Sequence, residues 1–276
     1  MESTAPTYQN GYTNGFKAAV NMKIIALGDI HGRDCWKDIV AKHPDADKYV
    51  FLGDYVSSHD MVPGEQQCTN LREILDFKEA NPDKVVLIRG NHDMQHLNYT
   101  WAECSGYNIC VGKYMSGIKE EFLAKTQWVY VHDKFVFSHA GVSEVWLKNI
   151  GLDDLNKINE LEPSEKFAFW PCKMSDYSGV SSTQPLTWIR PWTLVEYAYG
   201  DYTYVVGHTH YGNIINIKEE CIKNYQSSWL YSENDDYSKR IIEKYTNAND
   251  IYCCDALPKE YLIIDDGIVS VGKLIS

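Results

Sequence analysis

Five short apolar runs, each ending at a cluster of Asp, Asn or His, constrain this 276-residue chain more than any other feature. Lys23 to Leu27 (KIIAL) runs into Gly28-Asp29, and Tyr49 to Leu52 (YVFL) into Gly53-Asp54. Val85 to Ile88 (VVLI) leads to Arg89-Gly90-Asn91-His92-Asp93. Phe135 to Phe137 ends at Ser138-His139, and Tyr202 to Val206 at Gly207-His208-Thr209-His210. Short β-branched and aromatic runs punctuated in this way read as buried strands. Each delivers a metal-ligand residue type where a strand becomes a loop.

Helical patterns lie between the runs. Trp36, Ile39 and Val40 share one face, as do Cys68, Leu71 and Leu75, and then Met115, Ile118 and Phe122. Alternating strands and helices predict an α/β core. Tyr261 to Asp265, Asp266-Gly267 and Ile268 to Lys273 predict a hairpin with an Asp-Gly turn. Residues 1–21 lack periodicity and read as a loose extension. Residues 22–276 read as one domain, in which the polar, Tyr-rich stretch 216–250 is a helical insertion or a lid.

Composition narrows the function. Hydrophobic residues make up 44% and charged residues 23%, the balance of a soluble globular protein. The formal charge of −12 argues against a binder of long nucleic acids, which needs clustered Lys and Arg. No apolar stretch approaches the roughly 18 residues of a membrane span. The N-terminus has no basic segment followed by an apolar run, and the eight cysteines show no CxxC spacing. The expectation is therefore a cytoplasmic protein with reduced, mostly buried thiols.

The strand-end residues offer carboxylate, amide and imidazole donors and no thiolate. That set suits manganese, iron or zinc better than calcium and leaves magnesium open, with manganese as the expected ion. A carboxylate placed between two ligand groups can bridge two ions about 3.5–4 Å apart. Open α/β sheets bind ligands beyond the carboxyl ends of their strands, where these residues stand. The P-loop, serine-hydrolase and zincin motifs are absent from the sequence.

The series GDIHG, GDYV, RGNHD, FSHAG and GHTH resembles the calcineurin-like metallophosphoesterase superfamily, from about Lys23 to His210. RGNH and HAG lean toward its phosphoprotein-phosphatase and diadenosine tetraphosphatase branch. The resemblance implies a four-layer α/β/β/α sandwich and two divalent metal ions. Asp29, His31, Asp54 and His210 would hold one ion. Asp54, Asn91, His139 and His208 would hold the other, so that Asp54 bridges. A hydroxide shared by the ions would attack phosphorus, and His92 would assist the leaving oxygen. Arg190, Asn91 and Arg89 would contact the substrate phosphate.

The chain also departs from the pattern. Where the family shows GDYVDRG, this chain has Gly53-Asp54-Tyr55-Val56-Ser57-Ser58-His59, and GNHE is GNHD. Ser57 replaces the Asp that orients the catalytic histidine, and Ser58 replaces a phosphate-gripping Arg, leaving His59 or Asp60 as candidate substitutes. The sequence expectation is hydrolysis of a phosphomonoester, carried by a small phosphorylated compound or a phosphoprotein. Cleavage of a dinucleoside polyphosphate, or of another phosphoanhydride or phosphodiester, is the alternative. A metal-bearing binding module is the third.

Overall fold

The computed structural model describes residues 22–58, 60–170 and 179–274. The extension expected over 1–21 lies outside them, and so does His59. Among the described residues, ten strands form two five-stranded sheets. The first sheet has the order β10-β9-β1-β2-β3, from β1 (Lys23–Leu27), β2 (Lys48–Phe51), β3 (Val85–Leu87), β9 (Glu260–Asp265) and β10 (Ile268–Lys273). The second has the order β4-β5-β6-β8-β7, from β4 (Val129–His132), β5 (Phe135–Ser138), β6 (Thr203–Val206), β7 (Ile215–Asn216) and β8 (Ile251–Cys253).

The two-residue period of a strand explains the layering. Ile24, Ala26, Val50, Leu52, Val86 and Ile88 from the first sheet cluster with Phe135, Phe137 and Val205 from the second. The alternate residues Ile25, Leu27, Tyr49 and Phe51 face the other way, into a core shared with Trp36, Ile39, Leu71 and Leu75 of the covering helices. Val136, Tyr204 and Val206 do the same on the outer face of the second sheet, alongside Leu147 and Leu194. The result is the expected helix, sheet, sheet, helix sandwich. Its central strand pairs β1–β2, β2–β3, β5–β6 and β6–β8 are parallel, so their carboxyl ends collect at one edge.

All five expected runs form strands. The closing hairpin forms too, with Asp266 and Gly267 both at positive φ (49° and 76°), as a tight primed turn requires. The single helical face over Met115, Ile118 and Phe122 is corrected. It is two helices, Ile109–Gly117 and Lys119–Lys125, broken at Ile118 (φ −115°, ψ 14°). Met115 and Phe122 are both still fully buried, and apolar spacing cannot register a break that leaves both sides in the core. Residues 216–250 form helices Ile217–Gln226 and Asp236–Thr246, each started by a side-chain cap, from Asn216 and Asp235. None of their residues lines the cleft described below. Among the described residues no helix is long and apolar enough to cross a membrane.

Large aromatic rings anchor part of the core. Phe169 stacks on Trp128 at 4.3 Å and on Trp101 at 5.0 Å between ring centroids. Replacing this fully buried ring opens a cavity among large rings that cannot collapse. Phe169→Ala is expected to lower the unfolding free energy by about 3–5 kcal/mol in urea denaturation. A loss under about 1 kcal/mol would contradict this packing.

Candidate metal centre

Asp29 and Asp54 follow β1 and β2, two parallel neighbours (Leu27 opposite Phe51), and stand two and three residues beyond that pair, so both carboxylates emerge at the same end of the sheet. Both side chains are buried. Asp29 accepts the His208 N–H on its two oxygens at 3.0 and 3.1 Å, and Asp54 Oδ1 accepts the His92 N–H at 2.9 Å. His31, Asp54 and His208 all hold left-handed backbone (φ 47°, 48° and 62°), a conformation that non-glycine residues adopt at a cost. Glycine at position 90 is a steric necessity here, because a Cβ there would land on Asp54 Oδ1.

Backbone carbonyls set the imidazoles. His139 Nδ1 pairs with the Leu52 carbonyl at 2.8 Å and His31 Nδ1 with the Val56 carbonyl at 3.1 Å, so both nitrogens carry the proton. The Nε2 atoms then face inward. That of His139 lies 2.8 Å from Asn91 Oδ1 and 3.4 Å from Asp54 Oδ2, and that of His31 lies 3.8 Å from Asp29 Oδ2. His208 Nε2 is buried and has no hydrogen-bond partner among the described residues.

The electrostatics reflect this crowding. Burial pushes the Asp29 carboxyl well above its usual range, with Asp255 adding repulsion. Burial acts on Asp54 in the same sense, but His139, His92 and His31 overcome it and hold that carboxyl below its usual range. Burial alone would lower His139, yet the Asp54 and Asp29 carboxylates raise it to about 10. His208 is driven well below its usual value by burial, with His139 and Arg190 adding to the effect, so its ring is neutral. Asp29, Asp54 and His139 bring ligand atoms within 4.8 Å of one another. Buried carboxylates, inward imidazole nitrogens and an orphaned ring nitrogen fit divalent ions, which would displace the extra proton of His139 and which favour oxygen and nitrogen donors. His210 stands apart from this group. Its side chain is 63% exposed at the rim, with Nδ1 3.6 Å from Asp255 Oδ2.

His92 Nε2 lies 4.0 Å from Asp54 Oδ2, and Nδ1 lies 3.5 Å from Cys104 Sγ. Ser57, at the family's orienting position, turns elsewhere. Its N–H donates to Gln67 Oε1 at 2.9 Å, and its buried hydroxyl has no partner among the described residues. Burial, followed by the nearby Asp54 charge, pushes the Cys104 thiol far up, so it stays protonated beside the imidazole.

The two expected arginines part company. Arg190 lines the cleft and donates from Nη1 to Thr209 Oγ1 at 3.1 Å and to the His208 carbonyl at 3.4 Å. Arg89, expected as a phosphate contact, does not line the cleft. Its guanidinium donates to Thr126 Oγ1 and to the Leu123 and Thr126 carbonyls (2.9, 2.6 and 2.7 Å) and lies 4.8 Å from the Trp128 ring centroid. Its donors and its ring stacking fasten β3 to the following helices.

Four cleft or near-cleft residues were not anticipated. Asp255 follows β8 and faces Asp29, but no glycine marks that strand end. Arg33 directly follows GDIHG and lines the cleft. Cys104 touches His92. Asp93 accepts the N–H groups of Asp54 (3.0 Å), Tyr55 (2.8 Å) and Gly90 (2.9 Å), so the GNHD aspartate ties two ligand loops together. The cleft has a volume of about 980 Å³, with Asp29, Asp54 and Asn91 among its lining and His92, Arg190 and Trp188 on its walls.

A two-sheet α/β sandwich with carboxylates, imidazoles and an asparagine at its strand ends defines a metal-dependent phosphoesterase-type scaffold. Residues 22–212 match the calcineurin-like phosphoesterase family, and the chain belongs to it. Over 124 residues it is 28% identical to serine/threonine-protein phosphatase PP1-1 of Saccharomyces cerevisiae, a stretch covering 43% of this chain and 34% of that protein. The match thus spans about a third of that relative's length. The fold is similar to a cold-active protein-tyrosine phosphatase of a psychrophilic Shewanella (TM-score 0.54, 16% identity, 91% of this chain and 78% of that one). It is also similar to a Saccharomyces cerevisiae protein serine/threonine phosphatase (TM-score 0.50, 13% identity, 92% and 81%).

Asp93→Ala would strip three buried N–H donors of their acceptor at once. A stability loss of at least about 3 kcal/mol is expected by thermal or urea unfolding, since each unpaired buried donor costs roughly 1–3 kcal/mol. A loss under about 1 kcal/mol would show that the two loops are held by other contacts.

Proposed function

We propose that this protein is a dinuclear metal-dependent phosphatase that hydrolyses phosphomonoesters. The carrying observation is the convergence of Asp29, Asp54 and Asn91 in the lining of a cleft that also holds His92 and Arg190, with the buried His139 ring against Asn91 and Asp54. In this reading Asp29, His31 and Asp54, joined by His210 from the cleft rim, would hold one ion, and Asp54, Asn91, His139 and His208 the other, with manganese as the first expectation. Bound ions would supply positive charge for the phosphoryl oxygens and a water of lowered pKa.

The remaining roles belong to the protein. Asp54 would be shared between the two ligand groups, and the His92 N–H and the His139 ring fix the orientation of its two oxygens. His92, beside Asp54 and Cys104, delivers a proton to the departing oxygen. Arg190, tied to Thr209 and the His208 carbonyl, holds the phosphate in line. A cleft of about 980 Å³ exceeds the needs of one phosphate and favours, as a second reading, a bulky substrate such as a dinucleoside polyphosphate.

The test is p-nitrophenyl phosphate hydrolysis with added Mn²⁺, beside product analysis with diadenosine tetraphosphate. Wild-type turnover is expected, with a fall of roughly 10²–10⁴-fold in His92→Ala and background rates in Asp54→Asn. Equal rates in all three proteins would overturn the proposal. Turnover of the dinucleotide alone would favour the second reading.

A further inference from the structure

We propose that Arg33 is a substrate-phosphate-binding residue, held ready by Asp60 and taking over the task of the cation that Ser58 cannot supply. The assignment rests on the phosphoester reading of the cleft.

Three observations converge. First, Arg33 stands at the cleft wall immediately after the β1 ligand loop, with its side chain only 14% exposed. The same cleft receives Arg190 from the segment before the helix Pro191–Tyr197. Second, the guanidinium is anchored on two sides. Nε donates to Asp60 Oδ2 at 2.6 Å and Nη1 to the Asp29 carbonyl at 3.3 Å. Nη2 makes no hydrogen bond among the described residues, and the second N–H of Nη1 also remains. A planar group fixed in this way has lost most of its rotamer freedom before a phosphate arrives.

Third, Ser58 builds the anchor. Its hydroxyl accepts the N–H groups of Asp60 at 3.1 Å and Val62 at 3.2 Å, a turn that carries the Asp60 carboxylate to Arg33. A serine at position 58 therefore removes one cation and helps to orient another. A guanidinium pairs with a phosphate through parallel hydrogen bonds, which suits a terminal phosphate with several free oxygens. Arg33 and Arg190, both lining the cleft beside the carboxylates of Asp29, Asp54 and Asp255, would together form a two-arginine grip on such a group.

The test is isothermal titration of metal-loaded protein with inorganic phosphate, beside steady-state hydrolysis of p-nitrophenyl phosphate. Arg33→Ala is expected to raise the phosphate Kd and the KM by about 10- to 100-fold, as for a lost charge-assisted hydrogen bond, with a smaller change in kcat. Arg33→Lys restores part of the affinity, which a merely structural role would not produce, and Asp60→Asn weakens phosphate binding by a few-fold. Bound metal, measured by elemental analysis, stays at the wild-type level in all three. A phosphate Kd within twofold of wild type in Arg33→Ala would overturn the assignment, as would a wild-type protein that binds no phosphate. A wild type that binds phosphate through Arg33 without turning over esters would instead overturn the proposed function alone.

Discussion

Two buried carboxylates, Asp29 and Asp54, side by side at the ends of neighbouring strands, are the constraint on which the rest of the structure depends. Like charges in a low-dielectric site repel and lose hydration, so this pair is unfavourable unless something compensates it. The backbone is arranged to keep it. Left-handed φ at His31, Asp54 and His208 turns the chain abruptly, at about 1–3 kcal/mol each. Asp93 ties the Asp54 and Gly90 loops together through three N–H bonds. A sandwich with cores on both faces of its sheets can carry that expense. Inward imidazoles from His31 and His139 complete a pocket that a divalent cation satisfies more fully than shared protons do.

The legible part of this fold lies where local chemistry and tertiary position coincide. Each of the five expected strands ends at a ligand type, because a buried parallel strand reads as an unbroken apolar run. The less legible parts follow physical reasons. Strand β4 (VYVH) lies at the edge of its sheet with its three later residues half-exposed, so it does not read as the buried run of a central strand. Ile118 breaks a helix without interrupting apolar spacing. Arg89 adjoins the GNHD motif yet points into a nest of carbonyls, since neighbours along a chain turn to different sides.

The site is legible in its ligand types and less so in its supports. Asp255 ends a strand in the same manner as Asp29, but Cys254 precedes it where glycine would have marked the turn. Cys104 meets His92 across a loop that no periodicity could anticipate. Asp93 was visible as a departure from GNHE, while its role needed the positions of three distant N–H groups. Such contacts depend on how loops cross in space, which spacing along one chain does not encode.

Metal stoichiometry tests most directly the proposal that the carboxylate pair shares two ions. Manganese-loaded, dialysed protein should retain two ions per chain by elemental analysis, with a spin-coupled paramagnetic resonance signal from ions held about 3.5–4 Å apart. One ion or none at saturating manganese, or two ions with uncoupled spectra, would contradict it.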